Sequence, residues 1–196
     1  MPQRVTELHS IMPIRNLQTV KTYGILSHNA VKALPHADVS LQEVQDKRST
    51  KAVPNGLQLH DYANLYFCAR NPMMYKRKEE RLNLCVLSIS IEIFKLAGVV
   101  FTDRNAACSY VRFYRVQDGI AGMNFDMIYA DDWTHPNDER RFLEHKAIKC
   151  AEVLVPNVVG VQYISGAYVY DASIQMQVAS LWPELPTSIN QSIFFG

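Results

Sequence analysis

In the stretch "KCAEVLVP", residues 149–156, one glutamate stands inside an apolar run: Val153, Leu154 and Val155 follow Glu152 directly, and Pro156 closes the segment. A carboxylate there is costly unless it is paired, solvated by a cleft or kept for chemistry. Strand alternation puts Glu152 on the face shared by Cys150 and Leu154, opposite Val153 and Val155. That spacing fits a structural salt bridge to arginine or lysine, and it fits a carboxylate held for a reaction.

Two more groups of residues could do chemistry. His9 and Ser10 end a short extended segment ahead of an amphipathic stretch, and Gly24, Ile25, Leu26 and Asn29 come after it. On composition alone this is a strand, a helix and a turn with a surface histidine. Farther on, Arg48 lies in a polar loop, followed by the cluster His60, Asp61 and Tyr62 and then by aromatics interleaved with Arg70. Between residues 70 and 81, Arg70, Lys76, Arg77, Lys78 and Arg81 outnumber Glu79 and Glu80. Cations beside aromatics suit single-stranded nucleic acid, where bases stack and phosphates need countercharge. They also suit an ordinary solvated turn. No G-x-G-x-x-G, P-loop, G-x-S-x-G or H-E-x-x-H occurs, and no histidine pair has metal-ligand spacing, so no metal centre is expected.

The elements that must position these residues are mixed. Ile14, Leu17 and Val20 form one stripe over residues 13–23, with Pro13 at the start and Gly24 as a C-terminal cap. Strands are expected in "ANLYFCA", in "RLNLCVLSISIEIF" (apolar on both faces, as in a central strand), in "GVVFTD", around Glu152 and in "VGVQYISGAYVY". Asp103 is the expected N-cap of a helix over "RNAACSYVRFYRV", "ERRFLEHKAIK" a basic helix, and Asp171 the cap of "ASIQMQVASLW". Two long irregular stretches, 34–61 and 117–138, are candidates for functional loops. Without regular βαβ alternation the class is α+β.

The 196 residues suffice for one domain, taken as 1–196. A net charge of +1 means that any polyanion site is a local patch rather than a global field. Cys68, Cys85, Cys108 and Cys150 lack C-x-x-C spacing and are expected as free thiols of a reducing cytosol. The N-terminus has no signal-peptide apolar stretch, and the longest apolar segment is interrupted by Glu92 and Lys95, so a cytoplasmic chain that does not cross a membrane is expected.

Four segments, "LHSIMPIRNLQTVKTYGILSHNA", "VQDKRSTKAVPNGLQLHDYANLYFCARNPMMY", "VVFTDRNAACSYVRFY" and "RRFLEHKAIKCAEVLVP", resemble the DarT family of DNA ADP-ribosyltransferase toxins. They stand in the family's order. The H-[ST]-I opening, the H-D-Y segment before an aromatic strand and R-[SN]-P-M, the T-D-x-N-A-A turn and A-E-x-L-V are each weak; together, over about 150 residues, they are specific.

The resemblance implies the ADP-ribosyltransferase fold related to poly(ADP-ribose) polymerases, a split and mostly antiparallel sheet with NAD in a cleft between its halves. It implies transfer of ADP-ribose from NAD to thymine or guanine in single-stranded DNA, with RNA or protein acceptors, or a non-catalytic nucleic-acid binder, as the alternatives. Ser10 and the neighbouring backbone at Ile11 would fix the nicotinamide amide, and His9 the adenosine ribose. Gly24, Ile25, Leu26 and Asn29 would continue the cleft. Arg48 matches the family's loop arginine and Glu152 its catalytic glutamate. Tyr66, Phe67, Tyr75 and Trp133 are candidates for stacking on nicotinamide or bases, and Arg70, Lys76, Arg77, Arg112, Arg115, Arg140, Arg141 and Lys149 for DNA phosphates. The expected partner is the antitoxin DarG, whose macrodomain removes the modification, and the expected state is a monomer.

Overall fold

The computed structural model describes residues 4–32, 34, 36–37, 42–118 and 122–196. Residues 35, 38–41 and 119–121 of the two expected functional loops lie outside the described residues. The strands are β1 (Glu7–Pro13), β2 (Ile25–Leu26), β3 (Tyr62–Tyr66), β4 (Leu84–Ser90), β5 (Val100–Thr102), β6 (Phe113–Arg115), β7 (Glu152–Pro156), β8 (Val158–Val159), β9 (Ile164–Val169) and β10 (Thr187–Ile189). The α-helices are α1 (Leu17–Tyr23), α2 (His28–Val31), α3 (Gln42–Ser49), α4 (Pro72–Lys76), α5 (Phe125–Tyr129), α6 (Glu139–Ile148) and α7 (Ala172–Leu181).

Eight strands form one sheet in the order β10-β9-β4-β1-β3-β7-β5-β6, and β2 and β8 form a separate ribbon. Every registered pair is antiparallel except β9–β10. This is the α+β class expected from the sequence. β4 is covered on both faces. Cys85, Leu87 and Ile89 enter the main core with Leu17 and Val20 of α1 and Ile174 and Val178 of α7. Leu84 and Val86 meet Met74 of α4 and Phe194 on the other face.

Local chemistry explains the short elements. Asn71 accepts hydrogen bonds from the backbone N–H groups of Met73 (2.9 Å) and Met74 (3.1 Å), and Pro72 occupies the first turn, so the "NPM" of the sequence is a helix start. Asp171 likewise accepts from the Ile174 N–H at 3.0 Å and starts α7 as expected. α1 ends at Gly24, where φ is +77°. A Cβ at that position would stand 2.3 Å from the Val159 carbonyl oxygen, so only glycine lets β2 leave the helix and lie against β8.

Several expectations fail for identifiable reasons. Asp103 caps no helix: its carboxylate accepts from the Arg112 N–H at 2.9 Å, closing a loop that returns the chain as β6. The long strand expected over residues 81–94 runs only from Leu84 to Ser90: residues 81–83 belong to a 3₁₀ segment, Lys78–Asn83, and the Ser90 hydroxyl accepts from the Glu92 N–H at 3.2 Å and opens a 3₁₀ turn over Ile91–Lys95. The run "VGVQYISGAYVY" is broken by a second 3₁₀ turn, Val161–Tyr163. The stretches 34–61 and 117–138 hold the short helices α3 and α5, and β10 was not anticipated.

Candidate active site

β1 pairs with β4 along its whole length, from Glu7 to Pro13, but is registered with β3 only where His9 faces Tyr66. Past that pair β1 and β3 part, and the sheet is split in the expected sense. A cleft of about 680 Å³ lies there, with Ser10, Ile11 and Met12 on one side and Asn64, Tyr66 and Glu152 on the other. The volume falls within the roughly 300–1,000 Å³ of small-molecule sites.

Glu152 is fully buried and borders this cleft. Its Oε2 accepts from Arg48 Nη1 at 2.8 Å, and its Oε1 accepts from the Ala106 N–H at 3.1 Å. Arg48 comes from the last turn of α3, and Ala106 from the loop after β5. The backbone around Glu152 is tied as well, since its N–H donates to Thr102 Oγ1 at 3.1 Å. The two readings of Glu152 are therefore not alternatives. The carboxylate is salt-bridged, and its partner is the very arginine expected beside it at the cleft. Both carboxylate oxygens are held, which fixes the group's direction.

The walls suit a reactive electrophile. Burial and the nearby Glu152 carboxylate push the Tyr66 phenol well above its ordinary value, so it stays a neutral hydroxyl. Burial likewise pushes the Cys150 thiol up to about 12, which keeps a cleft-lining sulfur from competing as a nucleophile. Gly24, Ile25, Leu26 and His28 form the far rim, and the cations on the wall are Lys47, Arg48, Lys76 and Lys146.

The structure brings together Ser10, Ile11, Gly24, Leu26, Arg48 and Glu152 among the residues named from sequence. It moves others elsewhere. Phe67 is not a cleft residue: it is fully buried on the opposite face from Tyr66, edge-on to Phe101 and Phe125. Asn29 points away, accepting from Lys32 and donating to Asp61 at 2.7 Å, while its neighbour His28 lines the rim. His9 is absent from the wall. It shares a sheet face with Glu152 in the row His9–Tyr66–Glu152, but Tyr66 stands between them.

Among the DNA candidates, Lys149 is corrected most sharply. It is 1% exposed, and its Nζ donates to the Ile128 carbonyl at 2.9 Å and to Cys68 Sγ at 3.2 Å. Trp133 is buried edge-on to Tyr75 and Phe195, so it offers no open stacking face. Tyr75 is half exposed but carries Lys78 over its ring at 4.8 Å. Arg70 stacks on Phe195 at 4.0 Å and bonds the Ser192 carbonyl, and Arg77 pairs with Glu80 at 2.7 Å. Arg112, Arg115, Arg140 and Arg141 are exposed. Sequence reasoning missed the Ala106 N–H and the wall lysines Lys47 and Lys146. A backbone donor carries no side-chain signal, and the two lysines are marked by position alone.

His9 instead joins a polar cluster on the sheet. Its Nε2 lies 3.3 Å from Glu7 Oε1, Tyr168 donates to the same oxygen at 2.8 Å, and Ser88 donates to Glu7 Oε2. The His9 contact, with those of Ser88 and Tyr168, lowers the Glu7 carboxyl from 4.5 to about 2, against the opposing cost of burial. A carboxyl depressed on folding contributes stability above its unfolded value and loses it as pH falls through the folded one. The melting temperature should therefore fall as pH drops from 4.5 toward about 2, and Glu7→Gln should flatten that limb in a pH series of thermal melts. An unchanged acid limb in the variant would remove Glu7 as its source.

The family model described as "ssDNA thymidine ADP-ribosyltransferase, DarT" matches residues 9–195. The chain belongs to the DarT family of single-stranded-DNA ADP-ribosyltransferases. It is 31% identical over 183 residues to a DNA ADP-ribosyl transferase–DNA ADP-ribosyl glycohydrolase fusion protein of Thermosipho africanus, covering 87% of this chain and 44% of the relative. The chain thus spans under half the length of that fusion. Thermus sp. 2.9 DarT solved with ADP-ribosylated ssDNA superposes with a TM-score of 0.82 at 26% identity, covering 97% of this chain and 96% of that one. The same Thermus protein solved with NAD+ gives a TM-score of 0.79 at 25% identity, covering 98% of each. The ADP-ribosyltransferase fold implied by the four segments is thereby shown.

Proposed function

We propose that the chain transfers ADP-ribose from NAD to a thymine in single-stranded DNA and releases nicotinamide, with Glu152 and Arg48 as the catalytic pair. The observation that carries this is the buried Glu152 carboxylate fixed by Arg48 at the cleft where the sheet splits. The choice of thymine is supported by the wording of the matching family model, and the use of NAD and DNA by the ligands of the Thermus DarT structures.

The chemistry follows from the residue types. The bond between nicotinamide nitrogen and the ribose anomeric carbon breaks, its electron pair leaves with neutral nicotinamide, and the sugar gains oxocarbenium character. A fixed carboxylate stabilises that positive charge. A base nitrogen then bonds to the anomeric carbon, and Glu152 takes its proton. Arg48 orients the carboxylate and faces the NAD phosphates or the base carbonyl. Ser10 and the Ile11 backbone hold the nicotinamide end, and Gly24 and Leu26 the far rim. The acceptor base must be unstacked to enter, which favours single strands. The exposed Arg112, Arg115, Arg140 and Arg141, with Lys146 on the wall, supply phosphate contacts; Arg140 lies in line with Leu143 and Ala147, which face the cleft from α6. No metal enters this scheme.

The functional partner is a DNA ADP-ribosyl glycohydrolase of the DarG type, an assignment supported by the Thermosipho fusion. Among the described residues no helix is long and apolar enough to cross a membrane. A monomeric catalytic domain acting in the cytoplasm is part of the proposal. Incubation with NAD and a mixed-sequence single-stranded oligonucleotide should add one ADP-ribose to the DNA, on thymine by base-resolved mass spectrometry, with one nicotinamide released per modification. Modification of parallel RNA or protein acceptors but not DNA would overturn the acceptor, and binding of DNA without nicotinamide release would overturn the enzyme.

A further inference from the structure

Lys51 stands three residues beyond Arg48, outside the wall of the cleft, and has no part in the chemistry above. Its Nζ nonetheless donates to consecutive carbonyls of one turn, Ala106 at 3.5 Å, Ala107 at 3.0 Å and Cys108 more closely. This turn supplies the Ala106 N–H that holds Glu152 Oε1. Three convergent carbonyls are a poor arrangement by themselves, since their dipoles repel. An ammonium with three donors and no acceptor is the side chain that satisfies them together.

The backbone of Lys51 is tied to the other side of the site. Its N–H donates to the Arg48 carbonyl at 3.2 Å, and its carbonyl accepts from the Leu59 N–H at 2.8 Å, just ahead of β3. Lys51 therefore joins the segment that carries Arg48 to the turn that carries the Ala106 N–H. The two groups gripping the Glu152 carboxylate come from segments that are far apart in sequence, 104 and 46 residues from it, and Lys51 links them. Partial burial of Lys51 on this turn lowers its pKa from the ordinary value, the desolvation cost of bringing the ammonium there.

We propose that Lys51 is a positioning residue for catalysis, fixing the Ala106 turn so that its N–H and the Arg48 guanidinium hold Glu152 in one orientation toward the NAD ribose. The inference rests on the assignment of Glu152 as the catalytic carboxylate. Because the carboxylate's main contribution arises as positive charge develops on the sugar, loosening its mount should cost kcat more than substrate affinity.

The test compares native protein with Lys51→Met, Lys51→Arg, Glu152→Gln and Val178→Ala, the last a cavity variant in the core beneath α7, outside the lining of the cleft. Steady-state DNA modification is measured below the melting temperature of every variant. Lys51→Met should lower kcat by about tenfold to a hundredfold, the scale of a small misplacement of a catalytic group, with KM for NAD changed by less than about threefold. Lys51→Arg, which keeps a charged multiple donor, should recover most of the rate, and Val178→Ala should keep it at comparable loss of stability. Native kcat in Lys51→Met, or a loss shared equally by Val178→Ala or left unrescued by arginine, would overturn the positioning role while leaving Glu152 in place. Should Lys51→Met not fold, Lys51→Gln, with one remaining donor pair, carries the same comparison. Absence of DNA modification by the native chain would overturn the functional assignment and this inference with it.

Discussion

Glu152→Gln should abolish transfer to DNA, with kcat falling by about 10²–10³-fold or more, the cost of removing one preorganised electrostatic group from a transition state. The amide is nearly isosteric but neutral, so it neither stabilises an oxocarbenium ribose nor accepts the proton of the attacking base. From sequence alone, this substitution would be expected to leave the melting temperature unchanged. The structure alters that. Two donors converge on the carboxylate, Arg48 Nη1 and the Ala106 N–H, and glutamine has one acceptor oxygen and an NH₂ of its own. One donor is left facing another, and Arg48 loses its counter-charge in a buried place. A loss of about 1–3 kcal/mol is expected for the unsatisfied buried group, read as a lower urea midpoint at unchanged m-value. Normal modification of DNA by Glu152→Gln would remove Glu152 from the mechanism; an unchanged midpoint would mean that the ion pair contributes nothing to stability.

Arg48→Ala is expected to have the largest effect on stability. Breaking a buried pair by removing one partner leaves an uncompensated charge and typically costs about 3–5 kcal/mol. Glu152 keeps the Ala106 N–H and borders a cleft that admits water, so the lower end, about 3 kcal/mol, applies. Activity should fall by about tenfold to a hundredfold, the range for a hydrogen bond to a charged group. Arg48→Lys should restore part of the stability and little of the rate, because a point charge on a shorter stem lacks the planar fork that orients the carboxylate. A double-mutant cycle with Glu152→Gln separates the pair from its surroundings: in the Glu152→Gln background, Arg48→Ala should cost much less stability than it does alone. Additive losses would show that Arg48 acts elsewhere in the cleft.

Much of the local architecture was legible from one sequence. The cap residue Asp171, the Gly24 helix stop and the doubly covered β4 depend on interactions within a few residues or on a simple period, and these survive folding. The helix expected after Asp103 failed because a distant backbone group, the Arg112 N–H, competed successfully for the capping carboxylate. Lys149, expected at DNA phosphates, is buried, and a carbonyl and a sulfur from other segments take its donors. Trp133 was read as a stacking platform, and Tyr75 and Phe195 cover it instead.

By itself, then, the sequence determined the class of fold and the family, and it singled out Arg48 and Glu152, the pair proposed to be catalytic, because ordered motifs and strand alternation are properties of the chain. Tertiary structure decided which neighbours face the cleft. One residue of register separates Tyr66, on the wall, from Phe67, in the core, and the parting of β1 from β3 after a single pair puts Ser10 on the wall and leaves His9 off it. It also decided how Glu152 is held. The guanidinium 104 residues away and the backbone N–H 46 residues away meet at one carboxylate only because the sheet brings β7, the end of α3 and the loop after β5 to the same edge of the cleft.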